Sequence, residues 1–228
     1  MKIIADSRMP FTAKLALEQI GEVLFIEKQP YLYDAIASHP DIFFCRIGSQ
    51  LVTAPNIPVA WETWLQKNDV PFIKGKLNLE EKYPDTAHYN AVVTSELLIH
   101  NLKVIDPIII ERAKKLNHIH VNQAYTRCNL ISLDEDNFIT SDKGIEKQLL
   151  LINKKVLFVR PEQIKLEGQS YGFIGGCCGF AEHNLYVCGN HSSLTESDEF
   201  QKFVDDCRVN IVELYHGPLT DVGSIIFL

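Results

Sequence analysis

The sequence has no stretch near the roughly 18 consecutive apolar residues that a membrane-crossing helix needs, and its first fifteen residues, MKIIADSRMPFTAKL, lack the long apolar segment of a secretory signal. It contains no C-x-x-C pair, and only Cys177 and Cys178 of the six cysteines are neighbours. Without an export signal the thiols are expected to stay reduced in the cytoplasm, with no disulfide framework. Positive charge is also scarce: 22 Lys and Arg face 29 Asp and Glu, a formal net charge of −7. No basic patch interleaved with aromatics is present, so a nucleic-acid partner is not expected, because phosphate contacts need clustered Lys and Arg. A hydrophobic fraction of 46% over 228 residues is ample for one folded core, read as a single domain over residues 1–228.

What is present is a recurring order of elements. CNLISLDEDNFITSDKGIEKQLLLINKKVLFVR, residues 128–160, reads as strand, turn, strand, helix, strand. From Cys178 the same order returns, with a turn near Glu182-His183-Asn184, a strand at 185–188, a helix carrying Phe200, Phe203 and Val204, and a closing strand at 209–214. Two earlier stretches, from Asp41 and from Asn90, fit as well; in the second, Asp106-Pro107 is a helix cap followed by a proline where proline is tolerated. The two chain ends make a fifth unit between them. Residues 2–5, 11–20 and 23–26 supply strand, helix and strand, and DVGSIIFL at the C-terminus supplies the missing first strand. Sharing one unit between the ends implies a closed ring, which removes the exposed edge that an open array would carry. An open α/β sheet of unrelated elements is the competing architecture, and it does not account for the matching chain ends.

Five ββαβ units split between the termini resemble the pentein fold, an α/β propeller shared by guanidine-modifying enzymes such as arginine deiminase, dimethylarginine dimethylaminohydrolase and the amidinotransferases. FIGGCCG together with GPLTDVGSIIFL also resembles a small bacterial family of unknown function with this type of fold. The resemblance implies a small-molecule site at the centre of one face, with a guanidino, amidino or amide substrate and hydrolysis or transfer at a C–N bond. It also offers a non-catalytic alternative, a binding or interaction protein built like the ribosome anti-association factor. The enzymes place a cysteine nucleophile near the C-terminus, but residues 216–228, HGPLTDVGSIIFL, contain none, and Asp221 stands about where the thiol would be. His39-Pro40-Asp41 echoes the family's His-x-Asp motif, in an earlier unit.

The stretch YGFIGGCCGFAEHNLYVCGN, residues 171–190, carries the densest chemistry-like pattern. Adjacent cysteines on one strand point to opposite faces, so a zinc site from Cys177, Cys178, His183 and His191 is not expected, nor is any cofactor. The glycines there permit a tight turn and close backbone approach. Cys128, Cys177 and Cys178 remain candidate nucleophiles, since a catalytic thiol needs a base nearby. Asp6, Asn101, Asp142 and Asn190 each follow a unit's second strand, where Asp and Asn commonly cap helices or shape turns. Asp6 differs in being followed by Arg8, a bidentate anchor for a carboxylate or phosphate.

Alignment of the units puts Asp41, Asn90, Cys128, Cys178 (or Cys177) and Asp221 at the starts of the innermost strands, gathered around one mouth of a central channel. Two carboxylates there favour a cationic group, with Asp221 as anchor or general base. The expected catalytic set is Asp221, Cys128 and Cys178. The expected binding set is Asp6, Arg8, His39, Asp41, Asn90, Tyr125 and Ser224, with Arg8 and Tyr125 in loops near the same mouth. The competing expectation is a self-satisfied polar plug.

Overall fold

A computed structural model describes residues 1–228. In chain order the elements are β1 (Lys2–Asp6), α1 (Phe11–Ile20), β2 (Glu22–Ile26), α2 (Pro40–Phe43), β3 (Phe44–Ile47), β4 (Gln50–Thr53), α3 (Val59–Lys67) and β5 (Phe72–Lys74). They continue with β6 (Val92–Val93), β7 (Leu97–His100), α4 (Pro107–Arg112), β8 (Asn117–His120), α5 (Thr126–Asn129), β9 (Leu130–Ser132), β10 (Asn137–Thr140), α6 (Lys143–Leu151) and β11 (Lys155–Phe158). The chain closes with β12 (Cys178–Ala181), β13 (Asn184–Val187), α7 (Ser197–Asp206), β14 (Asn210–Glu213) and β15 (Ile226–Phe227). No helix is long and apolar enough to cross a membrane.

The strands form five separate three-stranded sheets, β3-β4-β5, β6-β7-β8, β9-β10-β11, β12-β13-β14 and β15-β1-β2. In each, the first strand runs antiparallel to the second, and a helical crossover returns a third strand parallel to it. The fifth sheet joins the chain ends, with Ile3 opposite Phe227 and Ile4 opposite Ile226. The middle strands β1, β4, β7, β10 and β13 are almost wholly buried, which suits their near-continuous apolar runs. Each longer helix covers its sheet with an i, i+4 pair: Ala13 and Leu17, Trp61 and Leu65, Ile145 and Leu149, Phe200 and Val204. The hairpin of β12 and β13 turns through Glu182 and His183 at φ 49° and 59°, the left-handed pair that matches the twist of a tight hairpin.

The first strands β3, β6, β9, β12 and β15 stand innermost. Arg46 on β3 reaches the Phe227 carbonyl of β15 at 2.7 Å, and the Ile225 amide bonds the Cys178 carbonyl at 3.1 Å, which joins the last unit to its neighbours. These strands begin later than the sequence alignment places them. Asp41 lies in α2 and Cys128 in α5, each before its strand, while Asn90 and Asp221 lie in loops two and five residues ahead of β6 and β15; only Cys178 opens a strand. Pro40 starts a helical turn at its preferred first position, and ahead of two of these strands the chain bonds across the ring to a neighbouring unit before the ladder begins: the Asp41 amide to Gly223 and the Arg127 amide to Asn90.

Candidate functional site

The residues that precede the inner strands meet on the ring axis. Asp41 is wholly buried; its Oδ2 accepts from the Cys128 thiol at 3.1 Å and lies 2.5 Å from the Ser224 hydroxyl. Asn90 donates to the Asp41 carbonyl at 3.1 Å and to Cys128 Sγ at 3.2 Å, while its side-chain oxygen accepts from the Arg127 and Cys128 amides. Ser224 holds this position at φ 68°, a left-handed conformation that a residue with a Cβ adopts at a cost. Asp41, Asn90, Cys128 and Ser224 thus form a polar plug, within which Asp41 Oδ1 has no hydrogen-bond partner.

Beside the plug sits a row of three titratable groups. His39 Nε2 is 3.8 Å from Asp6 Oδ2, and His39 Nδ1 is 3.9 Å from Asp221 Oδ1 and otherwise unpartnered. Asp221 accepts from the Phe173 amide at 2.9 Å and the Gly223 amide at 3.0 Å, and no lysine or arginine pairs with it. The backbone is fitted closely around it. A Cβ on Gly176 would stand 1.9 Å from Asp221 Oδ1, and one on Gly223, at φ 66°, 2.1 Å from the His39 Cβ. Asp6 is held by the Arg8 amide at 2.7 Å, the Ser38 hydroxyl at 2.7 Å and Arg8 Nη2 at 3.1 Å. Arg8 spends its other donors on the Asp34 and Ala35 carbonyls.

Burial decides the charges. Desolvation raises the Asp221 carboxyl to about 7, helped by the nearby Asp41, and lowers the His39 imidazole to about 3. Asp41 and Asp6 are raised by the same cause, against their hydrogen bonds. The Cys128 thiol is pushed well above its ordinary value by burial and by Asp41 and Asp221, so it is a protonated donor. Three buried carboxyl groups therefore share one neutral imidazole, with Arg8 paired to Asp6 and Arg127 acting on Asp41 only at longer range.

Two cavities open on this row, and both are lined by His39, Leu166 and Asp221. The first, about 310 Å³, has Tyr33, Tyr125, Tyr171 and Phe173 as walls, with Cys128 also on its lining. The Tyr125 hydroxyl is 2.5 Å from Thr86 Oγ1 and 3.2 Å from the Tyr33 hydroxyl, and its ring stands 5.8 Å from that of Tyr83, so the polar connection 77–89 backs this wall. The second, about 340 Å³, is more polar and holds Asp6, Arg8, Lys165, Glu167 and Thr220.

The structure therefore brings together Asp6, Arg8, His39, Asp41, Asn90, Tyr125, Cys128, Asp221 and Ser224. Cys178 stands apart: it packs into an apolar cluster with Cys177, Leu185 and Val187, lines neither cavity, and burial lifts its thiol to about 12. The Cys177 thiol donates only to the Phe173 carbonyl, at 3.4 Å. No group of three or more His, Cys, Asp or Glu is placed to hold a metal ion. Sequence reasoning passed over Tyr33, Tyr171, Phe173 and Lys165. The run EGQSYGF, small and polar residues around two aromatics in a connection, was the one available signal.

This topology is the pentein fold, and solved structures of guanidine-modifying enzymes share it. Dimethylarginine dimethylaminohydrolase from Pseudomonas aeruginosa, solved with citrulline, superposes with a TM-score of 0.54 at 8% identity over 93% of this chain and 91% of that one. An amidinotransferase of saxitoxin biosynthesis from Microseira wollei gives 0.55 at 9% identity, covering 93% and 87%. Agmatine deiminase from C. jejuni gives 0.53 at 12%, covering 95% and 78%. No curated protein sequence matches the chain. The chain belongs to a family of unknown function (DUF6873), whose model matches residues 4–226.

Proposed function

We propose that the protein binds a small cationic ligand, a guanidinium, amidinium or amine, with the charged head on Asp221 and the remainder between Tyr33 and Tyr125. One observation carries this reading: Asp221 is a buried carboxylate without an arginine or lysine partner, open to an aromatic cavity. A buried carboxylate in that state is unfavourable, and a cation with a flat apolar face satisfies both the charge and the aromatic walls. A neutral ureido group gains nothing from the charge. The polar second cavity, with Lys165 and Arg8 on its lining, reaches the same Asp221 from the other side.

A catalytic reading rests on a separate observation, the Cys128 thiol on the cavity lining with Asp41 Oδ2 at 3.1 Å as proton acceptor. A cationic head on Asp221 beside Cys128 favours the thiolate: the thiol would pass its proton to Asp41 and attack the guanidino carbon. The C–N bond breaks as the leaving amine takes up a proton, and water then hydrolyses the S-linked thiouronium to a ureido product and the free thiol. The binding reading is tested by calorimetry with agmatine, arginine and citrulline. Agmatine or arginine is expected to bind wild type at least about tenfold tighter than Asp221→Asn, since a charge-assisted contact is worth about 1.5–3 kcal/mol. Equal affinities for the two proteins would end it. Ammonia release that survives Cys128→Ser would end the catalytic reading while leaving the binding one intact.

A further inference from the structure

The ring has a further cavity among its inner strands, and the residues that line it are different ones. A space of about 340 Å³ is enclosed by all five inner strands, with Phe44, Val93, Leu130, Phe180, Ile225 and Phe227 among its walls. It shares no lining residue with the aromatic cavity at Asp221. The order along the chain sets the two apart: Cys128 and Asp221, ahead of their inner strands, line the Asp221 cavity, while the inner strands themselves, with Ala91, Arg127 and Ile225 just before them, surround this one.

Two arginines line this apolar chamber, in a chain whose net charge is −7. Arg46 donates Nε to the Gly48 carbonyl at 2.9 Å and Nη1 to the Phe227 carbonyl at 2.7 Å, and its Nη2 makes no hydrogen bond. Arg127 donates Nη1 to the Gly175 carbonyl at 3.0 Å and Nη2 to the Cys178 carbonyl at 3.1 Å, and its Nε makes none. The arginine ion pairs of the chain are Arg8 with Asp6 and Arg160 with Glu196, so neither guanidinium here has a carboxylate. Glu135 at the rim is occupied by the Thr94 hydroxyl and by the amide and hydroxyl of Ser95. Backbone carbonyls fix both guanidiniums in place without an ion pair, Arg127 feeling only the longer-range field of Asp41, which leaves oriented donors over an apolar floor. Preorganised donors of this kind bind a planar anion without a further ordering cost.

We propose that this chamber binds a small amphipathic carboxylate, with its anionic head on Arg46 and Arg127 and its apolar body among Phe44, Phe180 and Phe227. The volume is that of an ordinary small-ligand site, and the charge pattern is the reverse of that at Asp221. The two cavities, on either side of the plug, therefore take ligands of opposite sign. This site stands independently of the reading given for Asp221.

Calorimetry with octanoate, octanamide and octylamine tests it on the full chain. Octanoate is expected to bind at one saturable site, with octanamide weaker by about tenfold or more and octylamine not binding there. Arg46→Gln is expected to weaken octanoate about tenfold and leave octanamide unchanged, while Asp221→Asn leaves octanoate binding as in wild type. Val93→Phe fills part of the chamber while keeping both arginines in the sequence and should abolish binding of both ligands, so the test holds even if Arg46→Gln folds poorly. Equal affinity for octanoate and octanamide, no saturable octanoate binding, or binding unchanged in Val93→Phe would each overturn the proposal.

Discussion

Replacing Asp221 by asparagine should reverse its effect on stability across the pH range. In the folded chain the carboxyl titrates near about 7 against 3.8 when free, so between those values the folded state holds a proton that the unfolded chain has released. Stability must then fall as pH rises through that window, the opposite of the usual salt-bridged aspartate. At 1.36 kcal/mol per pH unit the interval amounts to about 4 kcal/mol, fully lost above pH 7. Screening offers no discount, because the side chain is 1% exposed. His39 works in the other direction: held neutral down to about 3 in the folded state, it stabilises the fold as pH rises toward 6.5. The wild-type profile alone therefore partly cancels, and the difference between wild type and Asp221→Asn is the informative curve. Asparagine keeps an acceptor for one amide and loses the other, a constant penalty of about 1 kcal/mol. Urea unfolding from pH 4 to 8 should show the variant less stable at pH 4 and more stable by about 2–3 kcal/mol at pH 8. A difference curve flat to within about 1 kcal/mol would show that Asp221 is not buried as a charged group, and the argument for a cationic ligand would lose its footing.

Three further outcomes follow from the same geometry. Gly176→Ala, whose Cβ would meet Asp221 Oδ1 at 1.9 Å, should displace that carboxylate and abolish agmatine binding; retained binding in calorimetry would mean that Asp221 is not the anchor. Phe227→Ala removes a fully buried ring 4.6 Å from that of Tyr186 at the joint between the chain ends, and should cost about 3–5 kcal/mol in urea unfolding, with less than about 1 kcal/mol marking the closure as unimportant. Native Cys128 should resist iodoacetamide at pH 7, because burial beside Asp41 and Asp221 keeps its thiol protonated, and agmatine should speed its alkylation; rapid labelling of the free protein would contradict the assignment.

The order of elements was legible because it depends on short-range patterns. Apolar middle strands, the Asp106-Pro107 cap and the i, i+4 pairs of the helices are all written within a few residues of one another, and the fit of IIAD to the C-terminal IIFL requires only that both fit one sheet. Those patterns also brought Asp41, Asn90, Cys128 and Asp221 to one axis, since equivalent positions in five like units must converge. They could not show that Asp41, Cys128, Asn90 and Asp221 sit in turns ahead of the strands, because those turns are set by bonds across the ring, such as the Asp41 amide to Gly223. Nor could they separate Cys178 from Cys128. Both thiols sit near a strand start, and only the packing turns one into an apolar cluster and the other toward Asp41. The aromatic walls and the two arginines of the second chamber come from residues far apart in the chain, and their roles depend on whether a partner carboxylate lies within reach. Local sequence determines which elements form and in what order. Which charges end up buried without a partner is decided only when five units close around one axis.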